Sequence, residues 1–327
     1  MQKISPGSNP NTELVVSSEG GVNRQLFKSA VNIRTQHFGN EVYPRGVVEI
    51  SNYCNLNCLY CGMRKDNLTI NRYRLGHNEI VQIALSMEQH GIKSIMLQSG
   101  DDYTYPIASL VKTVHAIRKE TDLRVILCLG ERKRADLEAM LKAGANMYVL
   151  KLETPNPILF QKLRPSTTFE RRLNQLKFMK KIGYQISSGF IVGLPEQTHH
   201  EIFEGLMLLK DLRVDAASVS PFIPNEGSPL KNEPFGSLEL SLYFLAQMRI
   251  HLQGVYIPAV SAFSLLHKDG QALAMNAGAN VITINFTPKT NAKQYLMYSE
   301  KRNPVSLERA RELILSLGMT SSILQIN

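Results

Sequence analysis

The chain has 327 residues, 43% of them hydrophobic, which is enough for a substantial core and excludes an intrinsically disordered protein. Its 37 Lys and Arg exceed its 28 Asp and Glu by nine, but they are scattered. A solvated positive surface or an anionic small-molecule site is therefore favoured over a nucleic-acid partner. No apolar run of eighteen residues and no secretory signal is visible, so we expect a cytoplasmic protein with no membrane partner.

The N-terminal 39 residues are expected to form an arm and a helix. Residues 1–23 are rich in Ser, Asn and Gly and lack periodicity, which is typical of a loose arm. The pattern then predicts a helix over about 25–38. No linker-like stretch interrupts residues 40–327, so we expect them to form a single domain that ends in a helix capped by Ser306.

A repeating pattern of strands and helices fills this domain. Short apolar, β-branched runs predict strands at 47–50, 94–97, 124–129, 147–152, 185–192, 216–220, 256–260 and 281–284. Amphipathic stretches of helical length separate them, such as 78–90, 107–120 and 171–182. Eight strands alternating with helices over about 280 residues predict a (β/α)8 TIM-type barrel. A doubly wound open sheet is the alternative.

Three of the four cysteines lie directly after the first predicted strand. Cys54, Cys58 and Cys61 have the spacing C-x3-C-x2-C, and polar or glycine residues also follow most of the other predicted strands. The C-terminal ends of the strands carry the chemistry of a parallel barrel. We therefore expect the cysteines to lie at the catalytic end.

The spacing favours an iron–sulfur cluster over zinc. A closed zinc site needs four ligands, commonly in two separated pairs, and the fourth here would have to be a distant side chain or Cys128. Three thiolates can hold one 4Fe–4S cluster and leave one iron open to a ligand. Cys128 lies within a predicted strand and is expected to be a small buried hydrophobic residue.

The motif in this context resembles the radical S-adenosylmethionine (SAM) superfamily, with Tyr60 as the aromatic residue before the third cysteine. Most of the chain is similar to the HydE-type maturases of FeFe-hydrogenase, in the biotin-synthase-like branch. The similar segments are 51–54, 58–62, 72–75, 97–100, 129–132, 162–165, 192–195, 221–224, 278–281 and 286–288.

The resemblance implies an enzyme that uses one 4Fe–4S cluster to cleave SAM reductively to a 5′-deoxyadenosyl radical. A reductase, a flavodoxin or a ferredoxin would supply the electron. The implied substrate is an organometallic iron–cysteine precursor of the hydrogenase H-cluster. One alternative is a mutase similar to methylornithine synthase that acts on an amino acid. Another is a non-enzymatic iron–sulfur or zinc protein that binds RNA.

Several SAM contacts are implied by the resemblance. Gly100 and Asp101 stand at the family's Gly-Glu element, which holds the SAM ammonium, although Asp101 is one methylene shorter than Glu. Glu153 matches a SAM-binding glutamate after the fourth strand. Arg172 matches an arginine that pairs with the SAM carboxylate, while Arg171 is expected to face solvent. A helix N-cap is the alternative role for Asp101.

The family also has a G-x-I-x-G-x-x-E segment near the adenine, which Gly189, Ile191, Gly193 and Glu196 match. An ordinary strand and turn is the alternative there. Substrate contacts are expected from a further set of residues, of which the last three could instead be packing residues: Lys151, Arg132, Phe222, Thr287 and Tyr295. Lys151 and Arg132 favour an anionic substrate.

Overall fold

The computed structural model describes residues 20–299, 302 and 304–325. Residues 1–19 of the predicted arm lie outside this range. Helix α1 (Gly20–Phe38) begins about five residues before its predicted start. Its first two residues are Gly20 and Gly21, which have poor helix propensity, so no local pattern predicts this first turn.

Within the described residues, seven strands form one parallel sheet in the order β6-β5-β4-β3-β2-β1-β7. The strands are β1 (Tyr43–Ser51), β2 (Ser94–Ser99), β3 (Arg124–Cys128), β4 (Ala145–Val149), β5 (Gln185–Val192), β6 (Ala216–Pro221) and β7 (Val281–Asn285). Four of them, β1, β2, β5 and β6, are buried along all or nearly all of their length, as expected for a parallel sheet covered by helices.

The prediction of a strand at 256–260 is wrong, because this segment does not form a continuous ladder with a neighbouring strand. Tyr256 makes a single bridge to Ala216 of β6, and Pro258 makes a single bridge to Val281 of β7. The segment thus lies between the two edge strands of the curled sheet. Pro258 has no N–H group to donate, which limits the pairing of this segment.

The other predicted strands are confirmed with shifted ends. Strand β1 begins at Tyr43, four residues before its predicted start. Strand β4 ends at Val149 instead of residue 152, because the chain leaves the ladder before Glu153. Glu153 has a left-handed backbone with φ 66° and makes only an isolated bridge to Phe190.

The helices that follow α1 connect the strands or cover the sheet. They are α2 (His77–Gln89), α3 (Ile107–Glu120), α4 (Arg134–Lys142), α5 (Pro157–Leu163), α6 (Phe169–Ile182), α7 (His199–Asp211), α8 (Leu238–Leu252), α9 (Phe263–Leu266), α10 (Gly270–Asn276), α11 (Lys289–Ala292) and α12 (Leu307–Ser316). Ser306 caps α12 as predicted, since its hydroxyl accepts from the N–H of Arg309. Among the helices described, none is long and apolar enough to cross a membrane.

Two apolar layers position the site. The larger one packs the helices against the outside of the sheet. A smaller one fills the concave side with residues from five strands: Val47, Met96, Ile126, Met147, Val149 and Ala216. The cavity described below lies on this concave side and includes Met96 and Val149 in its lining.

Candidate active site

The cysteine loop, which we define as residues 52–76, joins β1 to α2. The guanidinium of Arg72 ties the loop together by donating to four of its carbonyl groups at 2.6–3.1 Å. The N–H of Asn55 donates to the carbonyl of Asp101, and that of Leu59 to the carbonyl of Leu163, each at 2.9 Å. The loop after β2 and the end of helix α5 therefore hold the cysteine loop in place.

A cavity of about 220 Å³ opens at this end of the sheet, which is far larger than the roughly 30 Å³ of one water molecule. Cys54, Cys58 and Cys61 all line it. The predicted site residues that share the lining are Tyr60, Gly100, Asp101, Lys151, Glu153, Arg172, Ile191, Phe222 and Tyr295.

The three thiols lie in a poorly solvated environment. Burial raises the pKa of Cys54 to about 12, and the nearby Asp101 and Cys58 add to this shift. Burial likewise raises the pKa values of Cys58 and Cys61. The thiols are therefore protonated at neutral pH, and a metal group is needed to stabilise them as thiolates.

Arg164 is a buried cation beside these thiols. It is 5% exposed, lines the cavity and donates from Nη1 to the phenol oxygen of Tyr60 at 2.6 Å. Its Nε and Nη2 groups have no hydrogen-bond partner among the described residues. Unsatisfied buried donors are costly, so Arg164 is suited to an anionic ligand in the cavity.

Arg172 lies in a network with a buried carboxylate. Its Nη1 donates to Oε1 of Glu131 at 3.3 Å, and its Nε donates to the carbonyl of Lys151. Arg171 is two-thirds exposed as predicted, yet its Nε lies 2.8 Å from the other oxygen of Glu131. These bonds use Nε and Nη1, and the side chain lines the cavity, so its Nη2 group is available to a ligand there.

Glu153 and Lys151 face each other across the cavity wall. Lys151 Nζ lies 3.5 Å from Glu153 Oε2. Burial alone would lower the pKa of Lys151, but the charge of Glu153 outweighs it, so that the pKa lies above its usual value. Lys151 is therefore a cation at neutral pH.

Asp101 is not a helix N-cap, because α3 begins after Pro106. Its Oδ1 accepts from the N–H of Glu131 at 2.7 Å. The carboxylate lines the cavity next to Gly100 and is held at its edge by the loop after β3.

The glycines of the predicted adenine segment support the wall and do not belong to the cavity lining. A Cβ atom on Gly189 would lie 2.0 Å from the carbonyl oxygen of Ser218, so only glycine fits between β5 and β6. Gly193 has φ 88°, which the turn after β5 requires. Ile191 alone of this segment lines the cavity, whereas Glu196 is exposed and pairs with Lys162.

The structure does not bring two predicted substrate residues into the lining. Arg132 lies outside the lining and donates to the carbonyls of Leu129 and Asp102, and its Nη2 is buried without a partner among the described residues. The Thr287 hydroxyl accepts from the N–H of Glu49 at 2.8 Å. Cys128, which the sequence predicts to be a small buried hydrophobic residue, is only half-buried, because its side chain lines the cavity.

Comparisons with known proteins identify the family. The model described as Radical SAM superfamily matches residues 48–209. The chain is 41% identical over 292 residues to the FeFe hydrogenase maturase subunit HydE of Thermotoga maritima, and the match covers 88% of this chain and 83% of that protein. The chain belongs to the radical SAM superfamily. The radical SAM fold thus explains the curled parallel sheet, and the predicted enzyme class is confirmed.

Methylornithine synthases are further relatives of this radical SAM enzyme. The chain is 31% identical to the 3-methylornithine synthase of Methanosarcina acetivorans, over 79% of this chain and 73% of that protein. A crystal structure of methylornithine synthase superposes with a TM-score of 0.81 at 28% identity, over 94% of this chain and 90% of that one.

Radical SAM enzymes use a 4Fe–4S cluster and SAM, and the residues present fit both groups. In the described part of the chain, no three His, Cys, Asp or Glu side chains are arranged to hold a single metal ion. Three thiols nevertheless line one cavity, so they suit a group larger than one ion. The unpartnered donors of Arg164 and the cavity-lining guanidinium of Arg172 suit the carboxylate of SAM or another anion.

The sequence reasoning missed three charged residues of the site. Arg45 lines the cavity from the start of β1, and Arg164 and Glu131 come from loops after β4 and β3. Arg164 and Glu131 lie within segments that resemble the maturases, and this resemblance could have indicated that they belong to the site. Nothing in the sequence marked Arg45, because it precedes the predicted start of its strand.

Proposed function

We propose that this radical SAM enzyme acts as a HydE-type maturase on a small anionic iron–cysteine precursor of the FeFe-hydrogenase H-cluster. The observation that carries the proposal is the charge of the cavity. Four cationic side chains line it, against two carboxylates: Arg45, Lys151, Arg164 and Arg172, against Asp101 and Glu153. The 41% identity to a hydrogenase maturase supports the same substrate class.

The cysteine loop holds the cluster in this proposal. Cys54, Cys58 and Cys61 supply its three thiolates, and one iron remains without a protein ligand. When bound, the cluster supplies the electron that cleaves SAM to a 5′-deoxyadenosyl radical. The apolar layer beneath the cavity excludes water from the reacting groups.

SAM is held by residues from separate elements. The Nη2 group of Arg172 binds the carboxylate of SAM, and Asp101 and Glu153 accept from its ammonium. Tyr60 lies beside the cysteines with its oxygen bonded to Arg164, which fixes the ring at the cavity wall. Ile191 and the backbone near Gly189 and Gly193 pack beside the adenine.

Arg45 gives the substrate end of the cavity its positive charge. Its guanidinium donates to the hydroxyl of Thr283 at 2.8 and 3.2 Å and, within the described residues, pairs with no carboxylate. Burial lowers the pKa of Arg45 to about 10, so it is still cationic at neutral pH. With Lys151 it favours an anion and opposes a cationic substrate such as lysine. Phe222 and Tyr295 complete the apolar wall.

A methylornithine-synthase-like mutase is the second candidate, supported by the 31% identity to such an enzyme. It would need carboxylates in excess to bind the side-chain ammonium of lysine. The excess of cations in the cavity lining therefore favours the maturase.

We further infer that residues 40–327 form one domain and that the segment at 256–260 completes a (β/α)8 barrel, with α1 as an N-terminal extension. Backbone hydrogen bonds from this segment to both edge strands support the closure. The electron donor in the cytoplasm is a reductase, a flavodoxin or a ferredoxin.

The test is anaerobic reconstitution with iron and sulfide, followed by SAM cleavage with dithionite as the reductant. We expect 5′-deoxyadenosyl products, and with a synthetic cysteine-bound iron complex bearing CO and cyanide we expect an adenosylated product. Lysine should give no methylornithine. Turnover of lysine, with no reaction of the iron complex, would favour the mutase instead.

A further inference from the structure

An aromatic and basic surface covers the outer side of the cysteine loop. We call it the loop face and define it by six exposed side chains: Tyr53, Lys65, Arg74, Tyr103, Lys133 and Arg171. The two tyrosines are among the few large hydrophobic side chains that are exposed in the described chain, at 37% and 46%. Such side chains on a folded surface indicate a binding site when they occur together.

Backbone and ring contacts bring both tyrosines next to Cys54. The guanidinium of Arg74 lies 3.9 Å from the ring centre of Tyr53. The N–H of Tyr103 donates to the side-chain oxygen of Asn55 at 3.0 Å. The aromatic part of the loop face therefore lies over the residues that flank the first cysteine.

The acidic partners of the arginines are buried beneath the surface. Asp102 is 0% exposed and accepts from Arg74 at 2.7 and 2.8 Å, while its carbonyl accepts from Arg132 at 2.7 Å. Glu131 is 1% exposed and pairs with Arg171. What reaches solvent on this face is therefore mainly cationic.

Two lysines add charge that no carboxylate balances. Lys65 follows the third cysteine by four residues, and its N–H donates to the carbonyl of Leu56 at 2.9 Å. Lys133 stands directly before α4. Both are exposed, and neither forms an ion pair with a described residue. The nearby acid, Asp66, is paired with Arg64 at 3.8 Å.

We infer that the loop face docks a small acidic protein that carries one electron, such as a reduced flavodoxin or ferredoxin. The inference rests on the proposed function, which requires an electron at the cysteine loop. The donor loses one electron and the cluster gains one, and no bond forms or breaks. A protein carrier is favoured over RNA because the aromatic and basic groups converge on the place where that electron must enter.

The experiment compares two reductants with two matched variants. Lys65→Glu/Lys133→Glu reverses two charges of the loop face. Lys119→Glu/Lys142→Glu makes the same change in charge in the last turns of α3 and α4, outside the loop face. SAM cleavage is measured for both reconstituted variants and for the unmodified enzyme, first with dithionite and then with a reduced flavodoxin at low ionic strength.

With flavodoxin, we expect the loop-face variant to react about tenfold more slowly than the unmodified enzyme, since charge reversal slows electrostatically steered association. The control variant should keep its rate, and added KCl should slow the unmodified enzyme. With dithionite, all three proteins should react equally.

Three results would overturn the docking site. They are equal flavodoxin-driven rates in the two variants, an equal loss with dithionite, and binding of an RNA oligonucleotide that the loop-face variant loses while its flavodoxin kinetics are unchanged. Failure of the unmodified enzyme to cleave SAM with dithionite would instead contradict the proposed function.

Discussion

Glu153 combines an unfavourable backbone with a cavity-facing carboxylate. Its φ of 66° is unusual for a residue with a side chain and costs about 1–3 kcal/mol. Two hydrogen bonds to β5 hold it there, from its N–H to the carbonyl of Gly189 at 3.0 Å and from the N–H of Ile191 to its own carbonyl at 2.8 Å. Strain that is kept at a cavity is consistent with a role in binding.

Replacing Glu153 by glycine should relieve the backbone strain and remove the carboxylate, so the two effects can be measured separately. We expect Glu153→Gly to leave the thermal stability of the apoprotein unchanged or higher, and to weaken SAM binding by about tenfold or more, because a carboxylate contact to the ammonium is lost. Glu196→Gly is the matched control, since Glu196 also has φ 66° but lies outside the cavity lining. If both variants bind SAM like the unmodified enzyme, Glu153 is not a SAM contact.

Arg172 and Arg171 offer a second comparison between neighbours. Arg172→Lys keeps the charge but loses the planar group that also holds the carbonyl of Lys151, so SAM binding should weaken by roughly 1.5–3 kcal/mol. Arg171→Lys should have little effect, because a lysine can still reach Glu131 from the surface. Titration of SAM into both reconstituted proteins measures this. A larger loss for Arg171→Lys would contradict the assignment.

At the scale of elements, one side chain organises the cysteine loop. Arg72 donates to the carbonyls of Asn52, Met63, Arg64 and Asn67, which lie on both sides of the cysteines. The loop contains little regular structure of its own. Its shape therefore depends on these bonds more than on backbone pairing.

We expect Arg72→Met to lower the iron content after reconstitution to less than about half, because four carbonyl groups lose their donor and the loop loosens. Arg64→Met is the control within the same loop, since the side chain of Arg64 forms its ion pair with the exposed Asp66. Circular dichroism of both apoproteins checks that the sheet is intact. Full iron content in Arg72→Met would show that the cysteines need no such support.

Periodicity in the sequence predicted seven of the strands and the position of the cysteines at the end of β1. It could not distinguish a ladder strand from the segment at 256–260, since both are short and apolar. It also could not show the premature end of β4, because the cause is the conformation of Glu153 and not its residue type. The buried pairing of Glu131 with two arginines depends on contacts between distant loops, which no local pattern reports.

At the scale of the whole molecule, the fold sorts basic residues that look scattered in the sequence. Arg45, Lys151, Arg164 and Arg172 come from four different elements and line one cavity. The loop face gathers a second basic group on the outside. In our proposals the cavity charge suits an anionic substrate and the outer charge suits an acidic electron carrier, so part of the net charge of +9 is concentrated at two places.

The cluster content tests this arrangement as a whole. Four cysteines line the cavity. Three are on the cysteine loop, and Cys128 is at the end of β3. We expect one cluster per chain, with about four iron and four sulfide. Cys128 packs against the apolar layer that includes Val47 and Met96, so Cys128→Ala should keep the full cluster and lower the free energy of unfolding by about 1–2 kcal/mol.

Cys58→Ala is the variant to compare with Cys128→Ala. It should abolish the cluster, because two thiolates cannot hold it in a cavity that offers no histidine in their place. Iron and sulfide analysis of the two variants, with electron paramagnetic resonance of the reduced proteins, gives the answer directly. Stoichiometric zinc, about eight iron per chain, or loss of the cluster in Cys128→Ala would each contradict a single cluster bound by the loop.

Because burial raises the pKa of all four thiols, the apoprotein should also react slowly with alkylating agents at pH 7. Fast alkylation of Cys128 alone would show that the cavity is more open to solvent than the proposed chemistry allows.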